Sequence, residues 1–218
     1  MAIQRNEVIR TAFELLDQGG IEGLTLRKLA EALNVKAPSL YWHFANKQAL
    51  LDAVANAMLD DVGRTIPPGQ EWRPTLRQIA KELRSALKAH RDGARVFAGT
   101  YIATENVLRP GEAMLASLIE AGADIEFAAN TIFHVGYYVM GFVIEEQAVT
   151  DDRIDMLQRG ETLLALAEKE FPKTHQAARL MFEPDFDSRF EAGIDLLLGG
   201  IGLRLEALAS QGRSDGKG

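Results

Sequence analysis

The first 60 residues repeat apolar side chains at helical spacing, and turn residues interrupt them at short intervals. The first helix has its apolar face at Val8, Ile9, Ala12, Phe13 and Leu16, and it is predicted to stop at Gly19-Gly20. A second stripe consists of Leu26, Leu29, Ala30 and Leu33. Thr25 precedes this stripe and can cap the helix, because its oxygen accepts a hydrogen bond from a free backbone N–H. Two amphipathic helices are therefore expected before Asn34.

Two more helices are predicted directly after this pair. Pro38 suits the first position of a short third helix that runs to Phe44, because the N–H that proline lacks would be unpaired there. Asn46 can cap a fourth helix over about residues 46–63, with a buried face at Leu50, Leu51, Val54 and Met58. Two short helices joined by a turn at 34–36, with a helix on either side, are typical of a helix-turn-helix.

The rest of the chain has longer helical patterns. Pro67-Pro68-Gly69 forms a break, and helices are predicted over 72–90, 108–121, 125–147 and 155–170. A looser stretch around Pro172 and Pro184 leads to a last helix with its apolar face at Phe190, Ile194, Leu197, Leu198, Ile201, Leu205 and Leu208. The predicted fold is all-α, with a helix-turn-helix domain at 1–48, helix four as a connector, a second helical domain at 64–208 and a disordered tail at 209–218.

One segment resembles a membrane span by length alone. Residues 127–144 form an 18-residue stretch without formal charge, which is the lower limit for a span. Asn130, Thr131 and two tyrosines make it polar, and no lysine or arginine flanks it closely. We predict a helix buried inside the protein and no membrane contact. The N-terminal residues lack the apolar run of a secretory signal, so the cytoplasm is the expected location.

Composition and charge add two constraints. The chain contains no cysteine, which excludes a disulfide framework, thiolate zinc sites and a cysteine nucleophile. Its formal net charge of −7 argues against non-specific DNA binding. The distribution changes that conclusion, because residues 25–47 contain Arg27, Lys28, Lys36 and Lys47 against only Glu31. The positive charge is concentrated at the predicted helix-turn-helix.

An enzyme is the main alternative class, and the sequence offers it little support. It contains no G-x-S-x-G, H-E-x-x-H, P-loop or G-x-G-x-x-G pattern. The four histidines, His43, His90, His134 and His175, do not have the spacing of metal ligands. We therefore predict no catalytic residues, no metal site and no cofactor.

The residues TLRKLAEALNVKAPSLYWHFANKQALLDA resemble the DNA-binding region of the TetR family of bacterial transcriptional repressors. The similarity covers about residues 5–62, and the fixed spacing of PSLYWHF, NK and LL makes it specific. WRPTLRQIA, HRDGARVFAGT and GFVIEEQ are similar, in the same order, to core-domain segments of the tetracycline repressors. The resemblance implies a homodimeric repressor that a small molecule releases from a palindromic DNA operator. A ligand-insensitive regulator or an activator of the same fold is the alternative.

The resemblance also implies which residues contact DNA. The start of the recognition helix enters the major groove, which places Ala37, Pro38, Ser39 and Tyr41 nearest the base edges. Trp42, His43 and Lys47 would reach flanking phosphates, and the start of helix two would add Thr25, Arg27 and Lys28, with Lys36 nearby. Arg27 is the candidate for a guanine contact, because a planar guanidinium can bond O6 and N7 together. Ala37 stands where tetracycline repressors have a base-reading glutamine, so the operator should differ from theirs.

Several of these residues have a second interpretation. Tyr41 and Trp42 could pack within the DNA-binding domain, and His43 could be an ordinary surface histidine. Lys28 and Lys36 could be solvated lysines without a DNA contact.

Specific recognition implies a dimer, because one helix-turn-helix reads too few base pairs to select a single genomic site. Gly199, Gly200 and Gly202 lie in the last predicted helix, where each glycine costs about 0.5–1 kcal/mol relative to alanine. Close approach of a partner helix would offset that cost, and a helix break is the alternative. In the family, this helix and the one at 125–147 form a four-helix interface.

The predicted effector differs from that of the tetracycline repressors. Two histidines that contact drug and metal there correspond to Gly63 and Phe97 here, and two further drug contacts correspond to Ile79 and Leu83, while Thr100 and Glu145 match. Loss of the metal-binding imidazole argues against magnesium–tetracycline and favours a lipophilic or aromatic effector. The candidate ligand-binding residues are Leu83, Phe97, Thr100, Met114, His134, Tyr138 and Phe142. Most could equally be ordinary core residues.

Overall fold

The computed structural model describes residues 4–150, 155–183 and 185–215, which form eleven helices and no strand. The N-terminal four are α1 (Arg5–Gly23), α2 (Leu26–Ala32), α3 (Ala37–Tyr41) and α4 (Lys47–Met58). We call these four helices the head. α1 packs against α2 and α4, and α2 packs against α3. Val8, Leu16, Leu29, Leu40 and Leu50 are fully buried between them, so the predicted apolar stripes form one small core.

Three predicted helices in the head differ from the structure in where they begin or end. α1 continues to Gly23 through a kink at Gly20, where φ is +62°, a conformation that glycine adopts without strain. α3 spans 37–41 rather than 39–44. α4 ends at Met58 rather than near 63, and residues 59–65 form turns closed by short-range bonds such as that from the Val62 N–H to the Leu59 carbonyl. Leu59 and Val62 are nevertheless buried, so their apolar spacing extended the predicted helix too far.

The core domain contains the remaining seven helices. They are α5 (Trp72–Lys88), α6 (Gly93–Ala98), α7 (Glu105–Glu120), α8 (Ile125–Thr150), α9 (Met156–Glu170), α10 (Pro172–Phe182) and α11 (Phe186–Asp215). α5 and α8 form the centre of this domain, with α6, α7 and α11 packed around them. The sequence pattern missed α6 and α10, and it predicted a disordered tail from residue 209. The last helix instead continues to Asp215.

α8 is only partly buried in a single chain, which corrects the expectation of a buried helix. Phe133 and Tyr137 are 57% and 61% exposed. By length and mean hydropathy (1.4 over its most apolar 18 residues), α8 is the one helix among the described residues that would be apolar enough to cross a membrane, and 28% of those 18 residues are buried. The exposed apolar surface therefore requires another partner.

Candidate nucleic-acid interface and effector region

A helix cap and a left-handed turn residue shape the helix-turn-helix. The Thr25 hydroxyl oxygen accepts a hydrogen bond from the Lys28 N–H at 3.2 Å, which caps α2 as predicted. Asn34 adopts the left-handed conformation in the turn (φ 52°), which asparagine tolerates better than most residues. These features set the angle at which α3 leaves α2 and so position the recognition helix.

Most of the predicted DNA contacts have exposed side chains, and we call the predicted contacts together the recognition face. Trp42 is 90% exposed and Tyr41 is 56% exposed, whereas Leu40 and Phe44 beside them are buried. Trp42 is therefore not packed against the first helix. The other predicted contacts with exposed side chains are Arg27, Lys28, Lys36, Pro38, Ser39 and His43. Ala37 begins α3, but its side chain lies outside the described part of the structure.

Two basic residues on this face have partners within the chain. The Lys47 ammonium donates a hydrogen bond to the Ile21 carbonyl oxygen at 3.0 Å, which joins the start of α4 to the end of α1. Arg27 lies 3.7 Å from Glu31, with its side chain 83% exposed. An ion pair this exposed contributes little, so the Arg27 guanidinium remains available to DNA.

The predicted effector residues do not all lie in one place. Leu83, Phe97, Thr100 and Met114 lie on or beside α5, α6 and α7, and α5 packs against both of the other two helices. Phe97 and Thr100 are half-buried, and the Thr100 hydroxyl donates to the Phe97 carbonyl oxygen at 2.8 Å. Met114 is 8% exposed. We call these four residues the effector region.

Tyr138 and Phe142 belong to an aromatic cluster between α8 and α11. Their rings lie 5.5 Å and 5.2 Å from the Phe190 ring, and the Tyr138 hydroxyl donates to the Phe190 carbonyl oxygen at 3.0 Å. Burial raises the pKa of the Tyr138 hydroxyl. Tyr137 points to solvent, as expected for neighbouring residues about 100° apart on a helix.

A buried carboxylate beside this cluster escaped the sequence analysis. Glu146 is 1% exposed, and its carboxylate accepts hydrogen bonds from Arg84 at 2.7 and 2.9 Å and from Lys88 at 2.6 Å. Burial alone would raise the pKa of Glu146, but these bonds and the two positive charges outweigh it and lower the pKa. The partners are about 60 residues away in sequence, so no local pattern could indicate them.

His134 lies one turn before Tyr138 on α8 but belongs to a different part of the surface. It lines a mostly apolar groove of about 270 Å³ between α8 and α11, together with Phe127, Thr131, Leu196 and Gly200. Leu196 and Leu203 on α11 are 80% and 69% exposed. Together with Phe133 and Tyr137 on α8, they make a broad apolar surface, which we call the α8–α11 face.

Contacts between the head and the core domain hold α4 near each end. The Gln48 side chain donates to the Gly99 carbonyl oxygen at 3.1 Å, and the Asn106 side chain donates to the Asn56 carbonyl oxygen at 3.0 Å. Arg109 on α7 reaches the carbonyl oxygens of Asp60 and Val62 at 3.0 and 3.3 Å. These hydrogen bonds join α4 and the turns after it to α7 and to the residue that follows α6.

Comparison with known proteins agrees with this architecture. Residues 8–54 match the family of bacterial regulatory proteins of the tetR type, and residues 67–205 match the tetracyclin repressor-like C-terminal domain. The chain is a member of the TetR family. Members of this family are homodimeric transcriptional repressors that bind operator DNA and respond to small-molecule effectors, and this TetR-family chain is accordingly a regulator rather than an enzyme.

Individual relatives cover nearly the whole TetR-family chain. The tetracycline repressor protein class C of Escherichia coli is 42% identical over 91% of this chain and 90% of its own length. A structure of ActR from Streptomyces coelicolor in complex with actinorhodin has a TM-score of 0.81 at 27% identity, covering 92% of this chain and 96% of ActR. TetR class A in complex with 5a,6-anhydrotetracycline and magnesium has a TM-score of 0.69 at 36% identity, covering 92% and 98%.

Proposed function

We propose that this protein is a cytoplasmic repressor that binds a palindromic operator through the recognition face and is released by a lipophilic or aromatic effector other than magnesium–tetracycline. The exposed recognition face carries the DNA-binding part of this proposal. Its Trp42 and Arg27 face solvent, so the packing of the head does not account for them, and contact with operator DNA does.

The residues of the effector region do not fit a magnesium–tetracycline complex. Gly63 stands where the tetracycline repressors have a histidine, and its φ of +74° strains any other residue. A Cβ atom at Gly63 would lie 3.1 Å from the Cα of Pro110, so the backbone here is shaped for glycine. Phe97 replaces the second histidine. No step of the proposed mechanism therefore involves a metal.

The overall backbone shape supports the same conclusion. The chain resembles the ActR complex more closely than the class A tetracycline complex, although its sequence identity to the latter is higher. Leu83, Phe97 and Met114 offer apolar contacts, and Thr100 offers one hydroxyl. A pocket of this composition suits a mostly apolar ligand with few polar groups.

A second copy of the chain is the proposed partner of the α8–α11 face. Exposed apolar surface of this extent is a feature of interfaces. Gly199 and Gly200 have no atom within 4 Å of the place that a Cβ would occupy, which leaves room for the close approach of a partner helix. In this arrangement the second chain, and not a membrane, covers the exposed apolar side of α8.

Release of DNA follows from the contacts at the two ends of α4. Phe97 and Thr100 flank Gly99, whose carbonyl oxygen holds Gln48, and Met114 lies on the same helix as Asn106. An effector among them would displace α6 and α7 and shift α4. The two recognition helices of a dimer must lie about 34–36 Å apart. The effector releases DNA only if it binds more tightly to the dimer whose recognition helices are at the wrong distance than to the dimer that fits the operator.

Fluorescence anisotropy with the DNA beside the protein's own gene tests this function. We expect saturation at two protomers per duplex and a steep loss of affinity as salt rises. Leu196→Glu places a charge on the α8–α11 face and should weaken operator binding by preventing dimer formation. Equal affinity for a random duplex of the same length at every salt concentration would contradict the proposal.

A further inference from the structure

A carboxylate of the core domain holds the end of the first helix. Asp92 comes directly before α6 and is 5% exposed. One of its carboxylate oxygens accepts a hydrogen bond from the Ile21 N–H at 3.1 Å, and the other accepts one from the Arg95 guanidinium at 3.0 Å. Ile21 belongs to α1, so the Asp92 carboxylate joins the head to α6.

The backbone on both sides of this hydrogen bond is adapted to it. Asp92 adopts the left-handed conformation (φ 57°), which aspartate tolerates better than most residues. Gly20 forms the kink in α1 directly before the Ile21 N–H, and a Cβ atom at Gly20 would collide with the Asp92 carboxylate. The absence of a side chain at Gly20 therefore lets α1 approach the carboxylate this closely.

The same residue of α1 also holds a predicted DNA contact. The Ile21 carbonyl oxygen accepts the hydrogen bond from the Lys47 ammonium at 3.0 Å. The N–H and the carbonyl group of Ile21 thus connect Asp92 to Lys47 through a single residue. An ammonium group has three donors, so one bond to Ile21 leaves two for a DNA phosphate. The position of Ile21 therefore determines where the Lys47 ammonium lies.

Both ends of α6 are connected to the start of α4. Asp92 precedes α6 and reaches Lys47 through Ile21. Gly99 follows α6, and its carbonyl oxygen accepts the bond from Gln48. Lys47 and Gln48 are the first two residues of α4. A displacement of α6 therefore acts both on the Lys47 ammonium and on the helix that carries it.

We propose that Asp92 is a positioning residue for operator binding, which holds Ile21 so that the Lys47 ammonium meets a DNA phosphate. Asp92 is buried and acts through Ile21. This role rests on the proposed DNA contact of Lys47, and it connects that contact to α6, which carries Phe97 of the effector region. A carboxylate that only stabilised the fold would have no effect specific to Lys47.

Anisotropy of the full-length protein with operator DNA across a salt series tests this role. Asp92→Gly removes the carboxylate, and glycine adopts a positive φ without strain. We expect Asp92→Gly to weaken operator binding about fivefold at roughly physiological salt, and to reduce the slope of log affinity against log salt by about one, as for one lost phosphate contact. Asp92→Asn keeps one acceptor oxygen and should give an intermediate loss, also where Asp92→Gly disturbs folding.

A double variant shows whether the effect passes through Lys47. Lys47→Met removes the ammonium and should by itself cause the same loss of affinity and the same change in salt slope. In Lys47→Met, the further substitution Asp92→Gly should change operator affinity by less than about twofold, because both variants remove one interaction. Equal losses from Asp92→Gly with and without the Lys47 ammonium, or an unchanged salt slope in Asp92→Gly, would overturn the proposal.

A matched control addresses the other links between α1 and the core domain. The Asp17 carboxylate also joins them, but through the Arg91 N–H at 3.1 Å. Asp17→Asn should therefore leave the salt slope unchanged. Sedimentation equilibrium and thermal unfolding check that each variant is a folded dimer under the conditions of the titration.

The unaltered protein and Lys47→Met separate this proposal from the proposed function. Failure of the unaltered protein to bind operator would contradict the proposed function. Operator binding by the unaltered protein, with an unchanged salt slope in Lys47→Met, would leave the function intact and overturn the phosphate contact of Lys47 together with the role of Asp92.

Discussion

Arg27 and Lys28 are neighbours at the start of α2, but their side chains have different chemistry towards DNA. The Arg27 guanidinium can bond two acceptors of one guanine, whereas the Lys28 ammonium acts as a point charge. Both side chains are exposed. The family resemblance predicts that both contact DNA.

Substitution of each residue should separate base recognition from phosphate attraction. We expect Arg27→Gln to cost about 1–3 kcal/mol and to relax preference at one operator position. Lys28→Gln should weaken all duplexes equally and reduce the slope of log affinity against log salt by about one. Anisotropy with a set of single-position operator variants measures both effects. Equal loss on every duplex for Arg27→Gln would show that it contacts only phosphate.

Glu146 matters for stability rather than for DNA binding. Replacing it with glutamine removes the charge that Arg84 and Lys88 share in a buried site. We expect Glu146→Gln to lower the free energy of unfolding by about 1.5–3 kcal/mol, the range for hydrogen bonds to charged groups. Urea denaturation measures this change. Glu145→Gln at the exposed neighbouring position is the control and should be nearly neutral.

The same carboxylate predicts a pH dependence. Its pKa is lower in the folded protein than the ordinary value of 4.5, so the unfolded chain binds a proton first as the pH falls. The stabilisation from Glu146 is therefore complete above about pH 4.5 and is lost as the pH falls through the folded pKa. Denaturation between pH 7 and 3.5 should show a smaller decline for Glu146→Gln. An identical decline in both proteins would rule out this contribution.

Among the elements, α8 and α11 show most clearly what helical periodicity does not decide, which is where an apolar side chain is buried. Each reads in sequence as an amphipathic or buried helix, but in a single chain each leaves large apolar side chains exposed. Apolar side chains at helical spacing indicate a face that is removed from water. The same spacing occurs whether that face packs in the core of one chain or in an interface between two chains. α6 was missed because six residues are too few to establish a helical period.

A bulky residue at Gly200 tests the packing of α11 against a second copy. Gly200→Leu has open space in a single chain and should favour the helix itself, since glycine costs about 0.5–1 kcal/mol there. In the dimer it should hold the partner helices apart and shift the protein towards monomer in sedimentation equilibrium. Gly111→Leu, also at a helical glycine with open space, should remain dimeric. An unchanged dimer in Gly200→Leu would place the interface elsewhere.

For the whole molecule, function depends on the distance between two heads. A single chain contains the recognition face, the effector region and the links to α4, but two chains are needed to set half-site spacing. Small displacements of α6 and α7 are therefore sufficient to release DNA.

Tetracycline with magnesium is expected to leave the operator complex intact. Gly63 and Phe97 stand where the tetracycline repressors have imidazoles that contact drug and metal. Without those imidazoles, magnesium–tetracycline should not bind the form that has released DNA better than the DNA-bound form. Anisotropy of the operator complex titrated with tetracycline and Mg²⁺ should change less than about twofold. An Escherichia coli class C repressor on its own operator is the positive control. Release at comparable drug concentrations would contradict the proposed effector class.

The sequence by itself determined the head and the fold class. Helical periodicity, the Thr25 and Asn46 caps and the PSLYWHF spacing are local signals, because each depends on residues within a few turns of one another. Both caps form as predicted. The family resemblance rests on the same short-range patterns.

Only the tertiary structure decided what lies between distant segments. The Glu146 ion pairs and the links from Gly99 and Asn106 to α4 join residues 50 or more positions apart. The prediction of seven effector residues rested on the family resemblance and on helical faces. The structure puts Tyr138 and Phe142 in an aromatic cluster with Phe190, and His134 in a groove between α8 and α11. Such contacts depend on which helices pack against each other. Helical spacing predicts which face of a helix is apolar, but it does not predict which other helix covers that face.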